Sequence, residues 1–523
     1  MTMIPTPVCT SPDGNEFDLA ATRSLSVGDA ALVPLAETFR ATLRHLTGIE
    51  LPAPTMEAAV SARPALRIES GATEAALPPP TGRRADDGDP RCEFSVLEIG
   101  EHGIRVRAEH PEGLHRGLTS IVQHAGIGSG RVPCGRICDA PRFAWRGLSV
   151  DVARTFVPVA ELKRVVDMLS LYKMNVLHLH LTDNEGWRLE IESWPRLTEA
   201  GARGIHPGHY TKDEFRAIVA YARERFVTVV PEIDFPGHVG AVLAAHPELG
   251  QEAPDSDMPM PTGHLAADSE LVWRFVRDVL TEVADITEGA YIHIGGDEAF
   301  AMTDDDHARF VSRAVRLVRG LGKKVIGWQE TVRGDVGPDE IIQHWIDFAS
   351  QAAATAVAGL ADEAAFYVTM FAKAAADLPK AAAKGTGVLL SPTAHAYLDR
   401  PHGDPSADPD QETRRSRLGM QRYPATSLEA FANWEPLAAA PEIEPPAIVG
   451  VEAALWCETV RNMADLEQLL LPRLPGVAEA AWAQPGRFTW PEHRDRLALQ
   501  ARMWQRATWR WYQANSVDWP AGS

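Results

Sequence analysis

Two adjacent carboxylates, Asp297 and Glu298, are the residues of this sequence best suited to chemistry. They follow residues 291–294, a short apolar run typical of a β-strand, and two glycines that let the backbone turn sharply. Two acids in a dry pocket do not both ionise easily, so one of them is driven toward a neutral, proton-donating form. Most acidic pairs are simply solvated surface turns. The apolar strand and the Gly-Gly turn favour a catalytic pair here.

The elements that would position this pair alternate regularly from about residue 141 onward. Short apolar runs that indicate strands alternate with stretches whose apolar residues recur with the period of a helix. The eight predicted strands are residues 147–152, 175–181, 227–233, 291–295, 324–328, 341–345, 387–391 and 448–453. Eight such units in series predict a (β/α)8 TIM barrel over residues 141–523, ending in a C-terminal helix. The alanine-rich residues 348–384 are predicted to form one or two of its helices.

Residues 1–140 have a different pattern and predict a smaller α+β domain. Helical periodicity covers residues 31–46 and 112–125, and residues 64–70 and 93–100 have the pattern of strands. Residues 77–90 are rich in proline, glycine and charge, which predicts a solvated loop. Because no cluster of catalytic residue types occurs here, we expect this domain to support the barrel.

Polar or aromatic side chains follow every predicted barrel strand, at the end where parallel barrels carry out chemistry. The candidates are Arg154 after the first strand, Asp183 after the second, His238 after the third, Trp328 and Trp345 ending the fifth and sixth, Tyr397 and Asp399 after the seventh, and Trp456 and Glu458 after the eighth. Indole rings stack on the apolar faces of a sugar, and rim carboxylates bond its hydroxyls. A small carbohydrate is therefore the predicted substrate.

His178 and His180 lie on the same side of the second predicted strand, which is also a known arrangement of metal ligands. Their alternation with leucines favours histidines that pack inside the barrel and hydrogen-bond their neighbours. A metal site stays the alternative, although no further histidine or lysine ligand is evident at later strand ends. We expect neither a metal nor a cofactor.

Composition and charge exclude several other classes of function. A net charge of -20 argues against nucleic acid, which is held by clustered Lys and Arg. About 18 uninterrupted apolar residues would indicate a membrane span, and none occur. The five cysteines form no disulfide framework and are expected to be unpaired thiols. The N-terminus has no signal-peptide pattern, which predicts a cytoplasmic location, with an export signal already removed as the alternative.

Six motifs in order resemble family 20 of the glycoside hydrolases, the β-N-acetylhexosaminidases. They are DVAR at 151–154, HLHLTD with GWR at 178–183 and 186–188, PEID with PGH at 231–234 and 236–238, HIGGDE at 293–298, AYLD at 396–399, and GVEAALWCET at 450–459. The resemblance covers residues 142–482 and extends to the kind of N-terminal domain that the family carries. It implies an exo-acting, retaining enzyme that releases terminal β-linked N-acetylglucosamine or N-acetylgalactosamine, such as single sugars from soluble chitooligosaccharides.

The family's mechanism, by resemblance, explains why the two acids are adjacent. The substrate's own 2-acetamido group acts as the nucleophile and forms an oxazolinium intermediate, so no second carboxylate is needed across the ring. Glu298 would be the general acid and later the base, and Asp297 would orient the acetamide and stabilise its developing charge. Tyr397 would donate a hydrogen bond to the acetamide oxygen.

The resemblance also implies a binding role for each remaining candidate. Arg154 and Glu458 would grip the sugar hydroxyls from opposite edges, and Asp399 would bond another hydroxyl. Asp183 and His238 would support the acid pair. The residues expected to surround the acetamide and the sugar face are Trp328, Trp345 and Trp456.

Some points are left open by the sequence. The family often has Asp-Asp-Gln where this chain has Asp183, Asn184 and Glu185, a change that puts the leaving-group preference in doubt. Residues 400–419 form either a lid or an exposed loop. The alternative functions are a metal-dependent barrel hydrolase and a sugar-binding protein without turnover. The oligomeric state is not predicted.

Overall fold

Eight parallel strands close into a barrel in the computed structural model, which describes residues 3–56, 64–73, 75–202, 206–251, 263–346 and 370–520. The barrel strands are Trp145–Asp151, Val176–His180, Thr228–Glu232, Tyr291–His293, Lys324–Trp328, Ile341–His344, Gly387–Leu390 and Ile448–Leu455. The eighth strand pairs with the first in parallel and completes the closure. The predicted (β/α)8 barrel is confirmed, and all eight predicted strands belong to it.

The barrel strands form from apolar runs because nearly every residue in them is buried, as in other parallel sheets covered on both faces. The helices that surround them are Val159–Leu171, Arg196–Ala200, Lys212–Arg223, Gly240–Ala245, Glu270–Ile286, Asp304–Gly320, Asp377–Lys384, Thr393–Ala396, Pro409–Arg415, Leu428–Ala432, Met463–Leu470, Arg473–Trp482 and the C-terminal Trp490–Arg506. The short strands Gly250–Gln251 and His264–Leu265 pair beside the barrel. Of the predicted 348–384 helices, residues 377–384 are helical, and 348–369 lie outside the described residues.

The N-terminal domain contains a seven-stranded mixed sheet and the helices Val33–Thr47 and Pro111–Ile127. The strands are Cys9–Asp18, Ser24–Val27, Pro54–Met56, Ala65–Ser70, Ser95–Gly100, Gly103–Ala108 and Arg131–Asp139. Five of them were not predicted from the sequence. The strand Cys9–Asp18, for example, contains Pro, Gly and three acids, and it is held extended by antiparallel pairing with Arg131–Asp139. None of the described helices has the length and apolar character that crossing a membrane requires.

The prediction that residues 77–90 form a solvated loop is wrong for the part around Ala85, which closes the N-terminal end of the barrel. Ala85 is buried among side chains from the bottom of the barrel, including Trp145 and Tyr291. The backbone of this segment bonds the barrel directly, since Thr81 N donates to Arg142 O at 2.8 Å and Ala290 N donates to Ala85 O at 3.1 Å. The open end of a barrel exposes apolar side chains. A segment that covers them is held there even when its own composition is polar.

A buried carboxylate, Glu93, joins the N-terminal domain to the barrel. It accepts from Arg116 Nε at 2.7 Å and from Arg84 Nη1 at 3.3 Å within its own domain. From the barrel side it accepts from Asn175 Nδ2 at 3.3 Å and from the guanidinium of Arg146. Burial alone would raise the pKa of Glu93, but the three arginines lower it to about 2. One compensated buried charge is therefore among the contacts that join the two domains.

Glu93→Gln is expected to destabilise the fold by about 3 kcal/mol or more, because the buried guanidinium group of Arg146 would lose its carboxylate partner and two further arginines would lose one of theirs. Urea unfolding measures this effect as a lower midpoint. Glu98→Gln is the matched control, since Glu98 is 53% exposed and its ion pair with Arg105 should contribute less than about 1 kcal/mol. Equal midpoints for the two variants would contradict the assignment.

Candidate active site

The acid pair lies on a turn whose backbone requires glycine. After the fourth barrel strand, Gly295 and Gly296 have φ of +65° and +93°, and Glu298 itself has φ of +47°. A Cβ on Gly295 would lie 1.7 Å from Asp234 Oδ1, so a larger residue does not fit. Asp234 Oδ1 in turn accepts from Gly296 N at 3.1 Å. The close approach of this turn to Asp234 fixes where Asp297 and Glu298 lie.

All eleven candidate side chains from the sequence line one pocket at the C-terminal end of the barrel. They are Arg154, Asp183, His238, Asp297, Glu298, Trp328, Trp345, Tyr397, Asp399, Trp456 and Glu458. The cavity, its open mouth included, has a volume of about 470 Å³, within the range of small-molecule sites. The structure therefore brings together residues that come from all eight strand ends.

Asp183 is a buried carboxylate at the centre of the charges in this pocket. Its Oδ2 lies 2.8 Å from Arg154 Nη2 and 2.8 Å from His180 Nε2. Its Oδ1 accepts from the backbone N of Asn184 at 2.6 Å and lies 3.1 Å from His238 Nδ1. Burial would raise the pKa of Asp183, but Arg154 and His238 lower it well below its ordinary value. Asp183 is thus a charged anchor for two cationic neighbours.

His238 connects this anchor to the acid pair. Its Nε2 lies 3.4 Å from Glu298 Oε2 and 3.6 Å from Asp297 Oδ2, while Nδ1 faces Asp183. Burial lowers the pKa of His238, but Asp183 and Asp297 raise it well above its ordinary value. Burial raises the pKa of Asp297, and Asp234 and Glu298 raise it further. The acid pair therefore lies against a protonated imidazole. This contact is consistent with the predicted supporting role of Asp183 and His238.

Aromatic side chains form one side of the pocket. The rings of Trp328 and Trp456 are 5.7 Å apart, and the ring of Tyr397 is 6.1 Å from that of Trp456. The indole nitrogens are fixed from behind, since Trp328 Nε1 donates to Glu232 Oε1 at 2.8 Å and Trp345 Nε1 to Glu330 Oε2 at 3.2 Å. The result is an apolar surface of set orientation, as a sugar ring or a methyl group requires.

Another pocket residue, Asp399, has unused hydrogen-bonding capacity. Asp399 is 1% exposed, and neither of its carboxylate oxygens has a hydrogen-bond partner among the described residues. Burial raises its pKa to about 8, and Glu458 contributes to the shift. Buried polar atoms are rarely left unpaired in a folded protein. Asp399 is therefore suited to accept a hydroxyl from a bound ligand.

Three groups of acids and histidines bring possible metal-ligand atoms within 4.8 Å of one another: His178, Glu232 and His293; His180, Asp183 and Asp234; and Asp234, His238 and Asp297. In the second group, His180 Nδ1 lies 2.6 Å from Glu232 and Nε2 lies 2.8 Å from Asp183. Burial lowers the pKa of His180, but these two carboxylates raise it well above its ordinary value. His178 and His180 thus pack inside the barrel as hydrogen-bonding residues, as predicted.

The structure adds pocket residues to which the sequence analysis gave no role. Asp234 ends the PEID motif, and the strand-end rule places it among the polar groups after the third strand. Met420, Arg422 and Tyr423 line the pocket from a loop that carries no recognisable pattern. The preceding residues 400–419 contain the helix Pro409–Arg415, and Arg417 bonds Asp465 at 3.0 Å. This loop is therefore attached to the body of the barrel, and its C-terminal end contributes to the pocket.

Gly295→Ala is expected to lower kcat by about a hundredfold, because the clash with Asp234 would displace the acid pair by about 1 Å or more. The matched control is Gly320→Ala, where a Cβ would meet no atom within 4 Å. Steady-state kinetics on an aryl N-acetylglucosaminide measures both variants. Full activity of Gly295→Ala would contradict the constraint on this turn.

Comparison with known proteins agrees with this geometry. The family model for the glycosyl hydrolase family 20 catalytic domain matches residues 143–485, and the model for domain 2 of that family matches residues 1–140. A β-N-acetylhexosaminidase from Cellulomonas fimi is 35% identical over 99% of this chain and 97% of its own length.

Solved structures give the same result. A family 20 β-N-acetylhexosaminidase from Streptomyces coelicolor superposes with a TM-score of 0.81 at 31% identity, over 99% of this chain and 98% of the other. A mutant β-hexosaminidase from Streptomyces plicatus, solved with its product GlcNAc, has the same TM-score, identity and coverage. This chain is a member of glycosyl hydrolase family 20.

Proposed function

We propose that this protein is an exo-acting β-N-acetylhexosaminidase that removes terminal β-linked N-acetylhexosamine with help from the substrate's acetamide group. The observation that carries the proposal is the position of Asp297 and Glu298, adjacent on one turn at the mouth of a tryptophan-lined pocket. Because the two acids are neighbours in the chain, the proposal leaves the role of nucleophile to the substrate. The GlcNAc bound to the Streptomyces plicatus relative supports N-acetylglucosamine as the released sugar.

In the first step, the acetamide oxygen attacks the anomeric carbon while the glycosidic C–O bond breaks. Glu298 gives its proton to the leaving oxygen, and the acetamide becomes a cationic oxazolinium ring. Burial raises the pKa of Tyr397 well above 10, so its hydroxyl stays protonated and donates to the acetamide oxygen. Asp297 accepts a hydrogen bond from the acetamide N–H, whose positive charge grows as the ring closes.

In the second step, a water molecule attacks the anomeric carbon from the side of the departed group. Glu298, now a carboxylate, takes a proton from that water, and the oxazolinium ring opens to regenerate the acetamide. Two inversions give net retention. His238, 3.4 Å from Glu298, and Asp183 behind it keep this acid oriented through both proton transfers.

Asp297→Asn and Glu298→Gln are each expected to lower kcat on 4-nitrophenyl N-acetyl-β-glucosaminide by about a hundredfold or more, since each removes a transition-state role. The matched control is Asp305→Asn, an exposed acid on the following helix, which should retain full activity. A 2,4-dinitrophenyl leaving group needs no protonation. It should therefore restore much of the loss in Glu298→Gln and little of the loss in Asp297→Asn. Near-normal turnover by either variant would overturn these roles.

A thiazoline analogue of the intermediate is expected to inhibit competitively and to bind more tightly than the product N-acetylglucosamine, because it resembles the bicyclic intermediate. Inhibition constants for both compounds decide this. Failure of the thiazoline to inhibit would argue against acetamide participation.

Metal dependence is the alternative that the clustered acids and histidines raise. We expect dialysis against EDTA to leave kcat unchanged, because Asp183 is already paired with His180 and with Arg154. Loss of activity on chelation, with recovery on adding zinc or magnesium, would favour a metal-dependent hydrolase instead. Measurable product in the untreated sample excludes a purely sugar-binding protein.

A further inference from the structure

Glu232 ends the third barrel strand and lies inside the barrel, beneath the pocket and fully buried. Four nitrogen atoms from four other side chains lie within 3.1 Å of its carboxylate oxygens. Its Oε1 accepts from Trp328 Nε1 at 2.8 Å and lies 3.1 Å from His293 Nδ1, and its Oε2 lies 2.6 Å from His180 Nδ1 and 3.0 Å from His178 Nε2. Glu232 is not among the residues that line the pocket. It therefore influences a bound substrate only through its neighbours.

Two of these neighbours lead to different parts of the proposed machinery. Trp328 is part of the aromatic side of the pocket. His180 passes the connection to Asp183 at 2.8 Å, and Asp183 bonds both Arg154 and His238. Through Trp328, Glu232 thus contacts the aromatic side of the pocket. Through His180, it contacts the residues that hold the acid pair.

The charge states are consistent with a carboxylate that accepts from Trp328 and His180 and attracts a charged imidazole of His178. Burial lowers the pKa of His178, but Glu232 and Glu452 raise it to about 9, so this imidazole is protonated at neutral pH. Burial would raise the pKa of Glu232, and His180, His293 and His178 lower it well below its ordinary value. An amide at this position has one acceptor oxygen, and its NH2 group must face either the indole N–H or the imidazoles.

We propose that Glu232 is a positioning residue. It fixes the Trp328 indole and the His180–Asp183 pair relative to each other, so that one buried carboxylate aligns the aromatic side of the pocket with the acid pair. This inference rests on the proposed function, because it concerns the efficiency of that reaction. It assigns no direct contact with the substrate to Glu232.

A second carboxylate in the barrel provides a matched control. Glu452 is also fully buried and also accepts from a tryptophan, Trp145 Nε1 at 2.8 Å, as well as from Gln343 Nε2 at 3.1 Å and from His178 Nδ1 at 2.8 Å. Trp145, however, packs at the N-terminal end of the barrel with Ala85. Glu452 therefore has a similar environment without the direct bonds to Trp328 and His180.

Glu232→Gln and Glu452→Gln are compared by kcat, KM and the inhibition constant of the thiazoline, with thermal unfolding as a measure of fold. Glu232→Gln is expected to lower kcat by about tenfold to a hundredfold and to weaken the thiazoline by about tenfold, since misplaced supporting groups have effects of this size. Glu452→Gln should keep kcat within about threefold of the unsubstituted enzyme, even if its Tm falls as much as that of Glu232→Gln. Equal kcat and thiazoline constants for the two variants would overturn the proposal.

A double-mutant cycle separates positioning from general destabilisation. Trp328→Phe keeps an aromatic ring but removes the N–H that Glu232 accepts, so Glu232→Gln should lower kcat less in that background than alone. Additive losses would contradict a role through Trp328. If Glu232→Gln does not fold, His180→Gln decides instead. Its amide can still donate to Asp183 but no longer reaches Glu232, and an unchanged kcat would overturn the proposal.

The same kinetics distinguish this inference from the proposed function. Inactive Asp297→Asn and Glu298→Gln, together with a Glu232→Gln variant that behaves as Glu452→Gln, would overturn the positioning role alone. Active variants of the acid pair would overturn the reaction itself, whatever the result at Glu232.

Discussion

The buried charge of Asp183 is the interaction on which the geometry of the pocket depends. A carboxylate in this position is costly to bury, and it persists because Arg154, His180 and a backbone amide compensate it at 2.6–2.8 Å. Asp183 Oδ1 also lies 3.1 Å from His238 Nδ1 and orients this imidazole toward the acid pair. The pocket is therefore held by electrostatic pairs that satisfy one another.

This arrangement explains how strained backbone is retained at the mouth of the barrel. His238 and Glu298 both have left-handed φ values, +52° and +47°, which are unfavourable by about 1–2 kcal/mol each. The Gly-Gly turn can approach Asp234 only without side chains, and the contact of His238 with Asp183 holds the other side. The two acids thus lie side by side on one turn of the pocket.

The sequence predicted the parts of this site that depend on regular structure. The eight strands are apolar runs, and side chains such as Arg154 and Trp456 were found because parallel strands bring their C-terminal ends together. Met420 and Tyr423 were missed because their loop has no periodicity, and its path is decided by packing against the barrel. The segment at residues 77–90 was misjudged because a polar composition does not reveal that an open barrel end lies nearby. The contacts of Glu232 required the structure, since no spacing relates it to Trp328.

The central claim is that the substrate's acetamide oxygen is the nucleophile. The most direct measurement is kcat/KM for 4-nitrophenyl β-glucosaminides whose N-acetyl group carries none, one, two or three fluorine atoms. Fluorine withdraws electron density from the carbonyl oxygen while changing the size of the group little. The account predicts a steep fall in kcat/KM with each added fluorine. Rates that stay nearly constant across the series would contradict it and would require a nucleophile supplied by the protein or by water.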